Sequence, residues 1–307
     1  MTMRMKTVLA GLVLGTVAAA STLGCSRNNI EAVNLSNEGD KARAGNIDEA
    51  ISKYEQATNL DPTNHRILWK LATAYQKKEA WDKVASTCSR AEKIAPKHAN
   101  YFFLHGYALE QQAVKGPTGW GEAKGPLSTA IQLDPNYAEA NFELAQVLLH
   151  TDDEAGALQN YSEAIQKKPD ETVFYGPLAD LYIRLNFFDQ ADQILKEGLA
   201  FAKADDKALF VVRSLAGEVK EVRGDFNGAI ADFDAAKKAC GACNEKGQQI
   251  AYFNLGFSYS KAQPPRKNEA VAQLTKFQTT VCKGSSANRY ADECAQAQEI
   301  LKQLNGS

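Results

Sequence analysis

The sequence predicts an all-α solenoid of about seven helix-turn-helix repeats closed by a C-terminal capping helix, and three observations carry that reading. Four segments end alike: Ala57-Thr-Asn-Leu60-Asp61-Pro62, Ala91-Glu-Lys-Ile94-Ala95-Pro96, Ala130-Ile-Gln-Leu133-Asp134-Pro135 and Ala164-Ile-Gln-Lys167-Lys168-Pro169. Pro62 and Pro96 stand 34 residues apart, as do Pro135 and Pro169. Second, a small or β-branched residue recurs as Ala50, Val84, Ala123, Ala157, Ala191, Ala229 and Ala270, followed four places later by Tyr54, Cys88, Leu127, Tyr161, Leu195, Phe233 and Leu274. Third, a large-small pair with a further large residue marks the first helix of several units: Leu71-Ala72 with Tyr75, Leu144-Ala145 with Leu148, Leu178-Ala179 with Tyr182, Leu255-Gly256 with Tyr259.

Each column has a physical reason. Small residues let two helix backbones approach, and the bulky residue fills the space beside the crossing. A proline after the second helix stops it and sets the turn. The period and columns resemble the tetratricopeptide-repeat (TPR) family, and the resemblance implies a TPR superhelical solenoid over residues 31–283. It weakens after residue 200, where the fifth unit has no closing proline and the sixth carries Lys220 in place of a bulky apolar residue. A one-residue shift to Leu215-Ala216 with Val219 is expected to repair that unit. Residues 284–307 are expected to form the cap, with Tyr290, Cys294, Ala297, Leu301 and Leu304 on one helical face and mostly polar residues opposite.

At the other end, Arg4 and Lys6 precede an uncharged apolar stretch, Thr7 to Ala20, shorter than the roughly 20 residues a spanning helix needs. Residues 1–24 are expected to be a signal peptide. Thr22-Leu23-Gly24-Cys25 resembles a bacterial lipobox, which implies a lipidated Cys25, a tether over 25–30 and, with Ser26 following, an outer-membrane anchor facing the periplasm. Thr22 stands where the pattern usually has Leu. The alternative is cleavage after Ala20, where Ala18-Ala19-Ala20 fits the small-x-small rule, giving a soluble periplasmic protein. A net charge of −2 with scattered Lys and Arg lacks the basic stripe that phosphate binding requires, so no nucleic-acid partner is expected.

Nothing in the sequence assembles a catalytic or metal centre, and neither an enzyme activity nor a cofactor is expected. Four histidines (His65, His98, His105, His150) show no ligand spacing, and His105 is expected in the core. Gly116-Pro-Thr-Gly119-Trp120-Gly121-Glu122 departs from a phosphate loop because Glu122 replaces the needed Lys; it is expected to be an excursion between helices, with Trp120 either tucked in or offered to a partner. Cys88 is expected to be a buried thiol. Cys282 with Cys294, and Cys240 with Cys243, are candidate disulfides, while the four together are candidate ligands of a structural zinc. Asn244 stands where haem attachment would need His.

The family resemblance further implies that first helices line a concave groove. Trp69, Lys70, Phe103, Tyr107, Phe142, Gln146, Phe253 and Phe257 are expected to face it, an aromatic-rich surface suited to an apolar peptide or helix. Their alternative use is packing between neighbouring first helices. Leu35 with Gly39 and Trp69 with Thr73 occupy the places of the Lys-Asn-type clamp of chaperone-tail binders, so that partner is not expected. The resulting expectation is a scaffold or assembly factor of the bacterial envelope that binds a protein or peptide segment. It resembles the TPR lipoproteins that pilot outer-membrane secretins. The alternative is an accessory subunit docking a cell-wall enzyme.

Overall fold

The computed structural model describes residues 27–116, 119–245, 247–284 and 287–306. The signal segment and Cys25 lie outside the described residues. Helices follow one another in pairs: α1 (Arg27–Ala42) with α2 (Ile47–Leu60), α3 (His65–Lys77) with α4 (Trp81–Ile94), α5 (Ala99–Lys115) with α6 (Trp120–Leu133), and α7 (Ala138–His150) with α8 (Glu154–Lys167). They continue as α9 (Tyr175–Arg184) with α10 (Phe188–Phe201), α11 (Leu209–Val222) with α12 (Phe226–Cys240), and α13 (Ile250–Lys261) with α14 (Lys267–Phe277). The final helix, α15 (Ala291–Gly306), packs on α13 and α14 as a cap. Residues 27–30, expected within the tether, form the first turn of α1.

Local chemistry sets the ends of these helices. Asn46, Asn64, Asp153 and Asp225 each accept a hydrogen bond from a first-turn backbone N–H, satisfying one of the donors a helix start leaves open. Prolines 62, 96, 135 and 169 each follow closely on the end of a second helix. Burial then selects the pairing. All seven small or β-branched residues from Ala50 to Ala270 are 0 % exposed, and their bulky partners from Tyr54 to Leu274 are at most 1 % exposed. The fold is thus a TPR solenoid of seven helix pairs among the described residues.

Two expectations are corrected here. The sixth unit does not use the shifted register. Gly217, not Ala216, takes the small position against Phe233. Lys220 stays in the column otherwise held by a large residue, because its ammonium pairs with the buried Asp232 carboxylate. The inserted residues before the third unit's second helix also build less loop than expected. They lengthen α5 to 17 residues, against 13 in α3 and α7, and Pro117 and Thr118 of the expected excursion lie outside the described residues.

The cap is held by Tyr290, Ala297 and Ile300, all buried, with Cys294, Leu301 and Leu304 packed around them. Ile300 takes a deeper place than Leu301, one residue away on the expected face. Cys282 is joined to Cys294 and Cys240 to Cys243. Cys88 is free and buried, and burial pushes its thiol well above the ordinary range.

Candidate functional site

First helices of neighbouring units touch, α5 with α7 and α9 with α11, which places them on the inner side of the array. Between α7, α9 and α11 this side opens into a cavity of about 720 Å³. Phe142 and Gln146 supply its α7 wall, Val173 and Pro177 its centre, and Val211 and Val212 its α11 wall. Val173 and Val211 keep 47 % and 45 % of their surface exposed, unusual for valines in a cavity lining.

The cavity exists because the repeat is irregular here. A 3₁₀ turn, Thr172–Phe174, precedes α9 and turns Val173 outward while burying Phe174. Phe174 stacks on Phe142 with ring centroids 4.8 Å apart, fixing the floor. Beyond α10 no proline ends the unit, and the chain runs through a link to α11. Asp206 in that link accepts the Thr172 hydroxyl and, at 2.8 Å, the Ala208 backbone N–H. This pins the 3₁₀ turn to the start of α11. Tyr161, beneath, donates its hydroxyl to Gln146 Oε1 at 2.5 Å, which orients that side chain.

The remaining candidate groove residues are distributed differently. Phe253 is buried and lines a second, smaller cavity farther along α11. Trp69 packs on Tyr101 at 5.3 Å, Phe103 on Tyr137 at 4.7 Å, Tyr107 on Trp81 at 5.6 Å, and Phe257 on Phe226 at 6.2 Å. These four are half-buried, each with a ring partner in its surroundings. Lys70 is committed to the preceding unit, donating to Asp40 Oδ2 at 2.6 Å and to Ser36 Oγ at 3.1 Å. Trp120 is tucked in: it opens α6 and stacks on His150 at 3.7 Å. Gly119 before it has φ +114°, a left-handed conformation that favours glycine. His105 is half-buried and meets Glu92 Oε1 at 2.9 Å.

Sequence reading did not single out Val173, Pro177, Val211 or Val212. The signal available was an apolar surplus: Val173-Phe174-Tyr175 and Leu209-Phe210-Val211-Val212 hold more apolar residues than one helix face can bury.

On the same inner side, Glu110 of α5 and Glu143 of α7 face each other and share a hydrogen bond. Glu110 is only 5 % exposed, and its Oε2 has no partner. Burial, reinforced by the second carboxyl, raises Glu110 far above the ordinary carboxylate range, and burial raises Glu143. The folded state therefore keeps a proton that the unfolded chain releases, so stability declines as pH rises from the unfolded carboxylate range through the folded value. Glu110→Gln keeps the shape and removes the charge. Thermal melts should show the variant losing less Tm than wild type between pH 5 and 9, the remaining slope coming from Glu143 and Glu221, and lying above wild type at the alkaline end by about 1–3 kcal/mol of stability. A wild-type Tm as flat as the variant's would refute the shared-proton reading.

Among the described residues no group of three or more His, Cys, Asp or Glu is placed to hold a metal ion, and no helix is long and apolar enough to cross a membrane.

Comparison with known proteins agrees with this architecture. Residues 42–79 match a family model described as TPR repeat, and residues 119–172 match one described as tetratricopeptide repeat. A tetratricopeptide repeat protein from Parabacteroides merdae superposes with a TM-score of 0.58 at 13 % identity, over 90 % of this chain and 99 % of its own. PilW, a widely conserved type IV pilus biogenesis factor, superposes at 0.56 and 17 % identity, over 71 % of this chain and 97 % of its own. YrrB, a TPR protein with an unusual peptide-binding site, gives 0.50 at 18 % identity, over 62 % and 92 %. These likenesses are of fold. Two matched repeat segments, seven helix pairs with a shared buried column among the described residues, and a cap show that the fold is a tetratricopeptide-repeat solenoid.

Proposed function

We propose that the protein is a non-enzymatic interaction scaffold that holds an apolar segment of a partner protein in the cavity between α7, α9 and α11. One observation carries this reading: half-exposed Val173 and Val211 in the cavity lining leave apolar surface in water that a partner side chain would cover. The cavity is not an accident of loose packing, because Phe174, Tyr161 and Asp206 hold its floor and rim in place. YrrB, a TPR protein of similar fold, has an unusual peptide-binding site, which gives a precedent for peptide binding on such a solenoid.

The finer reading is an assembly factor of the bacterial cell envelope, anchored through a lipidated Cys25 to the outer membrane and working close to it. The export signal with its Cys25 supports it, and PilW, a pilus biogenesis factor of the same fold, provides a precedent for the role.

In-cell photo-crosslinking tests both layers. A photoreactive residue at Val211 should capture one dominant envelope protein, while one at exposed Lys93 on the outer helix α4 should not. With the probe kept at position 211, Val173→Asp should reduce capture about tenfold, since a charge would have to enter the apolar cavity. Capture of the same scattered set from both positions would sink the groove reading. In the same cells Cys25→Ser should move the protein out of the membrane fraction, and its retention there would count against the anchor.

A further inference from the structure

Farther along the inner side, α11, α13 and α15 enclose a second cavity of about 390 Å³. Val211 lines both this cavity and the first, so the two adjoin. Phe210, Leu215, Ile250 and Phe253 form its apolar surface, and three carboxyl groups enter it: Glu218 and Glu221 from α11 and Glu293 from α15.

Among the described residues no lysine or arginine lines the cavity. The cations of α11 are already engaged elsewhere. Arg213 and Lys220 both pair with Asp232 of α12, and Arg223 pairs with Asp189 and Asp192 of α10. Of the three carboxyls, Glu221 accepts the Ser258 hydroxyl from α13, whereas Glu218 and Glu293 make no hydrogen bond or ion pair within the described residues. Ser214, also on the wall, has a buried hydroxyl oxygen with no partner.

Resting on the groove reading above, we propose that this cavity takes an arginine or lysine of the same partner segment, so that the partner is an apolar sequence with a basic residue next to its anchor. The chemistry matches the walls. An Arg or Lys stem is apolar and would lie along Phe210 and Phe253, while its charged head would meet carboxylates that lack a cation. An acidic segment would meet like charges at the same place. Separate observations agree with a missing cation. Burial pushes Glu221 up to about 7, and burial with the nearby Asp180 of α9 raises Glu218. The charged groups facing Glu221 are therefore Glu218, Glu293 and, through Glu218, Asp180, while α13 presents the neutral Asn254 and Ser258. A bound cation would displace protons from these carboxyls.

The test uses the full chain and fluorescein-labelled peptides Gly-Leu-Phe-Xaa-Xaa-Leu-Phe-Gly, with Xaa as Arg, Gln or Glu, followed by anisotropy. The Arg peptide should bind about tenfold tighter than the Gln peptide, and the Glu peptide should bind more weakly than either. The Arg peptide's advantage should grow from pH 6 to pH 8 as Glu221 loses its proton, with the Gln peptide unchanged. The triple variant Glu218→Gln, Glu221→Gln, Glu293→Gln should bind Arg and Gln peptides equally, and at the wild-type affinity for Gln. Equal binding of Arg and Gln peptides by wild type would overturn the basic-residue site and leave the apolar cavity standing. Binding of no peptide, together with no capture from Val211, would overturn both. Self-association of the chain that is lost in the triple variant would assign the cavity to a second copy and overturn the proposal.

Discussion

Asp232→Ala should destabilise the solenoid by about 3 kcal/mol, read as a large drop in Tm with a normal helical spectrum below the transition. Asp232 is 4 % exposed and sits on α12. It accepts Arg213 Nη1 at 2.6 Å and Lys220 Nζ at 2.5 Å, both from α11. Removing the carboxylate leaves two cations against an apolar interface with no answering charge. The loss falls at the lower end of what breaking a buried pair costs, because Arg213 and Lys220 keep about a third of their surface in water. Replacing the whole cluster is a different matter. Asp232→Leu with Lys220→Leu and Arg213→Met would restore the apolar column seen at Tyr75, Leu148, Tyr182 and Tyr259, and should recover most of the lost stability. If the single and triple variants melt together, the cluster is not what holds the sixth unit.

The same unit shows where sequence reasoning reaches its limit. The columns from Ala50 to Ala270 and from Tyr54 to Leu274 were legible because each repeat states the same packing problem again, and agreement across units outweighs any one irregular residue. Lys220 looked like a register error because a charge in an apolar column is costly. Its partner, Asp232, lies across a helix turn on α12, and no period in the sequence connects the two. Lys70 shows the same limit: its repeat position says nothing of its partner Asp40, which lies 30 residues earlier and accepts its ammonium. Phe142 and Gln146 were readable from position alone. The rest of their cavity was not, since it depends on a 3₁₀ turn and on one link held by Asp206, where the repeat signals fade. Nothing in the sequence singles out Glu218 or Glu221. Only the curvature that brings α13 and α15 beside α11 makes them walls of a cavity.

Gly217→Val should cost about 3 kcal/mol, with the fault confined to the contact between α11 and α12. A Cβ on Gly217 would lie 2.5 Å from Phe233 Cε1, 2.7 Å from Cδ1 and 2.8 Å from Cζ. Phe233 is 1 % exposed, so its ring has no free space to move into. Valine would gain a little helix propensity over glycine, a few tenths of a kcal/mol to about 0.5, which is far too small to offset that overlap. Gly121→Ala in α6 is the control: beyond its own helix and chain neighbours no atom lies within 4 Å of its added Cβ, and it should stabilise by about 0.5 kcal/mol. Phe233→Ala alone should cost about 3–5 kcal/mol through the cavity it opens. The double variant Gly217→Val, Phe233→Ala should then be less destabilised than the sum of the two, because the valine fills part of the space the ring leaves. Additive losses would mean that the glycine and the ring do not act as one contact. Since α11 forms one wall of both inner cavities, a Gly217→Val protein that still folds should also bind the apolar peptides more weakly, although no residue touching them has changed. That coupling follows from the repeat itself: helix spacing inside a unit sets the spacing of the inner helices between units, and the groove has no shape apart from it.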